Sequence, residues 1–141
     1  MKTCLATVFV LLLLGALPAL GQTGTALEAE VPFAFEMSGV VLPAGSYQLL
    51  LRMPLLVRNI ELPEYGVIVG TRPWSPGASE APAIQLVFNK YGERYFLSQV
   101  WSWNEHYVLP KSKQERELVT SRVVAGLLKP ERVTVLAQIR K

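Results

Sequence analysis

The sequence predicts a mainly β domain: a small antiparallel β-sandwich or partly open β-barrel of about seven strands, with one short helix near residues 112–124. Short segments of alternating apolar and polar residues recur between 31 and 139, separated by breaks rich in proline and glycine. No regular helices lie between these segments, which favours antiparallel pairing. A helix-start signal stands out at Ser112, so the remaining elements are expected to be strands.

The N-terminus has the pattern of a secretion signal. Lys2 precedes an uncharged apolar run over 5–14, and Ala19-Leu20-Gly21 places small residues before a cleavage point at Gln22. A transmembrane anchor needs about 20 apolar residues, whereas this run is shorter and is broken by Pro18. We therefore expect residues 1–21 to be a signal peptide. The mature protein is expected to be exported, periplasmic or extracellular, without a transmembrane segment.

Removal of residues 1–21 from the 141-residue chain leaves 120 residues, which suits one β-rich domain over 22–141. The single cysteine, Cys4, lies within the signal, so the mature chain is cysteine-free and forms no disulfide. Loss of Lys2 leaves 13 basic residues against 11 acidic ones. That excess is small and scattered, so we expect no nucleic acid partner.

The first half of the mature chain predicts four strands. Residues 22–29 are interpreted as a polar lead, and alternation over 31–37 predicts the first strand. Pro32 cannot donate a ladder hydrogen bond, which suits an edge strand or a strand start. Further strands are expected at 46–52, 55–60 and 65–71, and the prolines of 72–82 predict a long loop.

The second half predicts a hairpin, a helix and a last strand. Residues 84–91 and 94–103 flank Gly92-Glu93 as the arms of a hairpin, with Leu97 and Val100 on opposite faces. Ser112 is expected to cap the helix, and Glu115 to complete a capping box. The helix should cover one end or one edge of the sheet. Alternation resumes over 133–139 and predicts the final strand.

Four segments carry a resemblance that spans most of the mature chain. They are VPFAF at 31–35, LPAGSY at 42–47, LVFNKYGERYFLSQVW at 86–101 and LPKSKQEREL at 109–118. In this combination the chain resembles a set of small exported bacterial proteins of unknown function. The resemblance implies export and a β-rich domain, and it brings no activity and no catalytic residues.

Composition excludes several kinds of chemistry. The mature chain has one histidine, His106, no cysteine and no aspartate, so it cannot supply a histidine- or cysteine-based zinc site. No nucleophile elbow, phosphate-binding glycine loop or dinucleotide fingerprint is present. Ser112 between Lys111 and Lys113 could form a serine–lysine pair, but helix capping explains this serine more simply. We expect no catalytic residues, no metal, no cofactor and no enzymatic activity.

The aromatic residues are the most suggestive candidates for binding. We predict a ligand-binding surface that contains Trp74, Trp103 and Tyr107, because flat aromatic rings on β-modules stack on sugars or anchor protein partners. Trp101 and Trp103 would share a face if the strand continued to 103. Packing in the core is the alternative interpretation for each of these rings, and it is the expected one for Trp101.

The residues do not select one function. The leading hypothesis is a non-enzymatic exported structural or binding module of the cell envelope, whose partner is an envelope polymer or a protein. The alternatives are a carbohydrate- or glycan-binding module that uses the exposed aromatics, and a small hydrolase that uses Glu105 or His106. The basic residues Lys111, Lys113 and Arg116 are interpreted first as a solvated face, and contact with an anionic envelope polymer is the alternative. Assembly through an exposed strand edge also stays open, as does the oligomeric state.

Overall fold

The computed structural model describes residues 25–74, 83–103, 105–124, 126 and 130–140. Within them the chain is mainly β with a single helix, α1 (Lys113–Val124), at the place where the helix was predicted. The strands are β1 (Thr25–Val31), β2 (Phe35–Met37), β3 (Val40–Leu42), β4 (Gly45–Leu51), β5 (Leu55–Asn59), β6 (Gly66–Val69), β7 (Arg72–Trp74), β8 (Gln85–Tyr91), β9 (Arg94–Trp101), β10 (His106–Val108) and β11 (Glu131–Ile139).

The strands form one nearly closed, barrel-like sheet. Its order is β3-β2-β9-β8-β11-β1-β4-β5-β6, and β10 pairs with both β9 and β7 beside this path. Neighbouring strands are antiparallel except at β2 and β9, which meet in parallel at Glu36 and Phe96. Gly70 and Thr71 carry the chain from β6, at the end of the path, to β7. The backbone itself thus crosses between the two borders of the curled sheet.

The expectation of about seven strands was too low, because the described residues form eleven. The strands β3, β7 and β10 have three residues each, too few to show a period of two in the sequence. The fourth addition is β1, which lies largely in the segment interpreted as a polar lead. Its alternation is real, since Leu27, Ala29 and Val31 are buried in turn. The predicted first strand is divided after Val31, and only its second half forms β2.

The core fills the interior of the curled sheet with aliphatic and aromatic side chains. Phe35 packs edge-to-face against Tyr47 and Phe88, with ring centroids 5.0 and 5.3 Å apart. Phe33 stacks on Tyr95 at 3.9 Å. The hydroxyl of the buried Tyr47 donates to the carbonyl of Pro43 at 2.5 Å. The buried core cluster comprises Leu27, Ala29, Val31, Phe35, Met37, Leu42, Tyr47, Leu49, Leu51, Leu55, Val57, Val67, Val69, Leu86, Phe88, Leu97, Val100, Tyr107 and Leu109.

The central hairpin forms as predicted, with one irregularity that changes which residues face the core. Tyr91 pairs with Arg94 across Gly92, whose φ of 63° suits a tight two-residue hairpin turn. The register shifts between Val87 and Phe88. A bulge of this kind adds one residue to a strand and changes the phase of its alternation. Leu97 and Val100 consequently both point into the core, although strict alternation placed them on opposite faces.

Helix α1 lies against the outer face of the hairpin and is held there by a buried carboxylate. The Ser112 hydroxyl accepts a hydrogen bond from the Glu115 N–H at 3.1 Å, so the predicted cap is confirmed. The Glu115 side chain does not complete a capping box. It accepts hydrogen bonds from the Asn89 amide at 3.1 Å and the Tyr91 hydroxyl at 3.0 Å. The helix therefore covers a face of the sheet through its first turn.

Two predicted segments lie outside the described residues: the signal peptide at 1–21 and most of the long loop at 72–82. Only 72–74 of that loop are described, and they form β7. Within the described part of the chain, no helix is both long and apolar enough to cross a membrane.

Candidate functional site

The structure places the three predicted binding residues around strand β10. Trp74 is paired with His106 in the backbone register, while its side chain is outside the described part. Trp101 is the partner of the same histidine from β9. Trp103 lies in the connection from β9 to β10, and Tyr107 is in β10 itself. The chain thus brings these positions together at one end of the sheet, as a binding surface requires.

In the connection between β9 and β10, hydrogen bonds join Ser102 to Glu105. The Ser102 N–H donates to the Glu105 carbonyl at 2.8 Å. The Ser102 hydroxyl donates to the same carbonyl at 3.2 Å and accepts from the Glu105 N–H at 3.1 Å. Ser102 is fully buried beneath the turn, whereas the side chain of Trp103 is 63% exposed. The turn therefore presents a large aromatic ring on an anchored backbone.

Tyr107 is part of the structure that supports this turn. Its ring belongs to the core cluster and is only 4% exposed. Its hydroxyl donates to the carboxylate of Glu105. Burial first, and the hydrogen bond to Glu105 second, raise the pKa of Tyr107 well above its ordinary value. The expected exposure of Tyr107 is therefore corrected: the ring packs inside the sheet and only the hydroxyl end reaches the turn.

His106 and Trp101 stack on the opposite face of the same strands. Their ring centroids are 3.9 Å apart with an interplanar angle of 23°. The Trp101 indole N–H donates to Gln99 at 3.0 Å. Trp101 is half-buried and lies outside the core cluster, contrary to the expectation that it packs in the core. Burial lowers the pKa of the imidazole, and the positive charge of Arg132 lowers it further.

Glu105 and His106, each a candidate residue of the hydrolase alternative, do not face each other. Neighbouring residues of a strand point to opposite faces, and Tyr107 points into the core. His106 therefore points outward, where it stacks on Trp101. Glu105 lies two residues before Tyr107 and accepts its hydrogen bond. The carboxylate and the imidazole accordingly occupy opposite sides of the backbone.

A small cleft lies at the other end of β10. It has a volume of about 390 Å³ and is lined by Gly70, Thr71, Arg72, Val108, Leu109 and Pro110. The Thr71 hydroxyl oxygen is buried and has no hydrogen-bond partner among the described residues. Arg72 supplies an exposed positive charge at the rim. Two residues of strand, about 7 Å of rise, separate Val108 in this cleft from His106 beside the turn.

The basic cluster at the start of α1 is a solvated surface. Lys111, Lys113 and Arg116 are all exposed. The Lys113 amine lies 3.8 Å from the Glu117 carboxylate, one helical turn away. Glu115 does not balance these charges from the surface, because its carboxylate is turned into the sheet.

The sequence analysis assigned Glu115 to the helix start and did not predict that its side chain attaches the helix to the sheet. The sequence signal for this role is a glutamate on a helix that has few apolar residues to pack against the sheet. Comparison of the chain with protein-family models, curated proteins and solved structures found no match. The resemblance to exported bacterial proteins therefore stays a prediction.

Proposed function

We propose that the chain is a non-enzymatic exported binding module of the cell envelope that contacts its partner through Trp103. The observation that carries the proposal is the exposure of 63% of the Trp103 side chain on a turn closed by hydrogen bonds between Ser102 and Glu105. Binding through an anchored residue loses little conformational entropy, because the backbone is already ordered.

The energy available at this residue is sufficient to matter. An indole side chain offers roughly 200 Å² for burial, and apolar burial contributes about 25 cal/mol per Å². Covering the exposed part of Trp103 would therefore contribute about 3 kcal/mol, or more than a hundredfold in affinity. Tryptophan is also the residue type most enriched at the energetic centres of interfaces.

Recognition of a glycan is the second candidate, and the same ring favours it. A flat, exposed indole can stack on the apolar face of a sugar ring. The cleft at Arg72 and Val108 lies along the same strand. Its volume of about 390 Å³ falls within the range of small-ligand sites.

The test is co-sedimentation of the purified protein with washed cell envelopes and with a panel of insoluble polysaccharides, at low and high salt. We compare the native chain with Trp103→Ala and with Met53→Ala as a matched control. Met53 is 67% exposed on the connection between β4 and β5, and neither of these strands pairs with β9 or β10. Thermal melting establishes that both variants fold.

We expect binding that persists at high salt, is lost in Trp103→Ala and is retained in Met53→Ala. Binding to a polysaccharide would assign the glycan class, whereas binding to envelopes alone would assign a protein partner. Binding that disappears in salt would transfer the contact to Lys111, Lys113 and Arg116, since exposed charges are screened. Equal binding by the native chain and Trp103→Ala would refute the role of the turn.

A further inference from the structure

The ladder between β7 and β10 opens into the cleft that lies beyond Val108. This residue pairs with Arg72, but the next two residues, Leu109 and Pro110, pair with no residue of the connection from β6 to β7. Pro110 has no N–H group, so it cannot donate the next hydrogen bond of the ladder. The two segments separate here, and the cleft between them has a volume of about 390 Å³. Sites for small ligands have volumes of this order.

The backbone N–H of Gly70 faces this cleft. The Leu109 N–H donates to the Ser98 carbonyl at 2.9 Å, so it points toward β9. Backbone groups alternate in direction along an antiparallel strand, so those of Val108 point toward its partner Arg72. Gly70 lies two residues before Arg72 and has the same phase. Its N–H forms no backbone hydrogen bond with another described residue, and a Cβ at position 70 would meet no other atom within 4 Å. A ligand in the cleft can therefore reach this donor.

The two sides of the cleft differ in chemistry. Arg72 is exposed and forms no ion pair with another described residue. A guanidinium group of this kind binds a carboxylate through two parallel hydrogen bonds. The opposite side is an apolar wall of Val108, Leu109 and Pro110. A positive charge and an N–H donor that face an apolar wall suit an acid whose body has an apolar face.

We propose that this cleft binds the carboxylate of a small organic acid. The Arg72 guanidinium and the Gly70 N–H hold the carboxylate, and the apolar wall packs against the body of the ligand. The carboxylate can belong to a free acid or to an acidic sugar unit, because both present the same group on a small ring. The site does not include Trp103, so it does not rest on the binding role of the turn.

Thr71 supplies a further donor to this site. It lines the cleft, and its hydroxyl oxygen is buried without a hydrogen-bond partner in the described part of the chain. A buried hydroxyl without a partner is unfavourable. Rotation about the Cα–Cβ bond between staggered positions turns the hydroxyl toward the cleft. A carboxylate oxygen bound there gives the hydroxyl the acceptor that the free protein lacks.

The test is titration of the purified protein with two acids and their neutral counterparts, followed by NMR through the backbone amide signals. Cyclohexanecarboxylate and galacturonate carry the carboxylate, whereas cyclohexylmethanol and galactose have similar rings without the charge. We expect an acid to shift the amide signals of Gly70, Arg72 and Val108, and the neutral counterparts to bind at least about tenfold more weakly. Binding of both acids assigns free carboxylates in general, whereas binding of galacturonate alone assigns acidic sugars.

The charge of Arg72 has a matched control on the same protein. Arg52 is exposed just after β4 and does not line the cleft. We expect Arg72→Gln to weaken binding of the acid at least about tenfold and Arg52→Gln to leave it unchanged. Trp103→Ala should also leave it unchanged, so this proposal and the binding proposal can fail separately.

Thr71→Val separates a role in binding from a role in folding. Valine has the same shape but lacks the hydroxyl, so the variant should melt at the same temperature as the native chain or higher. Its affinity for the acid should fall about fivefold. Undiminished affinity in Thr71→Val would remove the hydroxyl from the site. The whole proposal would be overturned by equal binding of the acids and their neutral counterparts, by equal effects of Arg72→Gln and Arg52→Gln, or by amide signals that no acid shifts.

Discussion

Glu115 is the group whose removal should most affect the attachment of α1 to the sheet. Its side chain is almost fully buried, at 3% exposure, and accepts from Asn89 at 3.1 Å and from Tyr91 at 3.0 Å. Glu115→Ala leaves both donors without this acceptor. Each buried donor that loses its partner costs about 1–3 kcal/mol. The loss from the two donors is partly offset, because the mutant no longer buries a charge. We expect a net loss of about 3 kcal/mol in the free energy of unfolding, or roughly 10 °C in Tm for a domain of this size.

The assay is urea unfolding followed by circular dichroism, with Glu117→Ala as the control. Glu117 is on the same helix, but it is exposed and lies 3.8 Å from Lys113. An exposed pair of this kind contributes about 0.5 kcal/mol or less. A double-mutant cycle of Glu115→Ala with Tyr91→Phe should show a coupling of about 1–2 kcal/mol. Equal losses in Glu115→Ala and Glu117→Ala would refute the role of the buried carboxylate.

Two further results follow from the backbone and from the tyrosine hydroxyl. Gly45 has φ 154°, and a Cβ there would meet the Asn59 amide nitrogen at 3.0 Å, so Gly45→Ala should cost about 2 kcal/mol in chemical unfolding. At Gly92 a Cβ would meet no other atom, so Gly92→Ala has only the positive φ of 63° to accommodate and should cost about 1 kcal/mol. A larger loss of stability in Gly92→Ala than in Gly45→Ala would contradict the close contact between position 45 and Asn59. Burial and the neighbouring Glu115 raise the pKa of Tyr91 from 10.0 to about 12. The stability that the protonated Tyr91 hydroxyl contributes is fully present below pH 10, and about 2–3 kcal/mol of it is lost as the pH rises toward 12. In Tyr91→Phe this part of the decrease in the free energy of unfolding at alkaline pH should be absent. A variant whose stability falls with pH as steeply as that of the native chain would contradict the prediction.

The elements that could be predicted from the sequence are those with strong local signals. The hairpin at β8 and β9 is marked by apolar alternation on both sides of Gly92. The helix is marked by Ser112, which does cap α1. These features depend on residues that are close together in the chain, so they can be predicted without knowledge of the fold.

The elements that could not be predicted depend on distant partners. Strands β7 and β10 are three residues long, and they form because β10 pairs with β7 on one side and with β9 on the other. The bulge lies in β9 opposite Val87 and Phe88, where Ser98 is the extra residue, and it reverses the expected direction of Val100. A period of two describes one strand in isolation and contains no information about such shifts.

The candidate site shows the same division at the level of single residues. Trp103 was a candidate binding residue with core packing as its alternative, and it is exposed because the strand ends at Trp101 and the chain leaves the sheet. Tyr107 belongs to the same aromatic run, yet its ring is buried because β10 pairs with β9 opposite the core residue Val100. Composition alone treats the two rings alike. The pairing of β10 separates a contact residue from one that supports the turn.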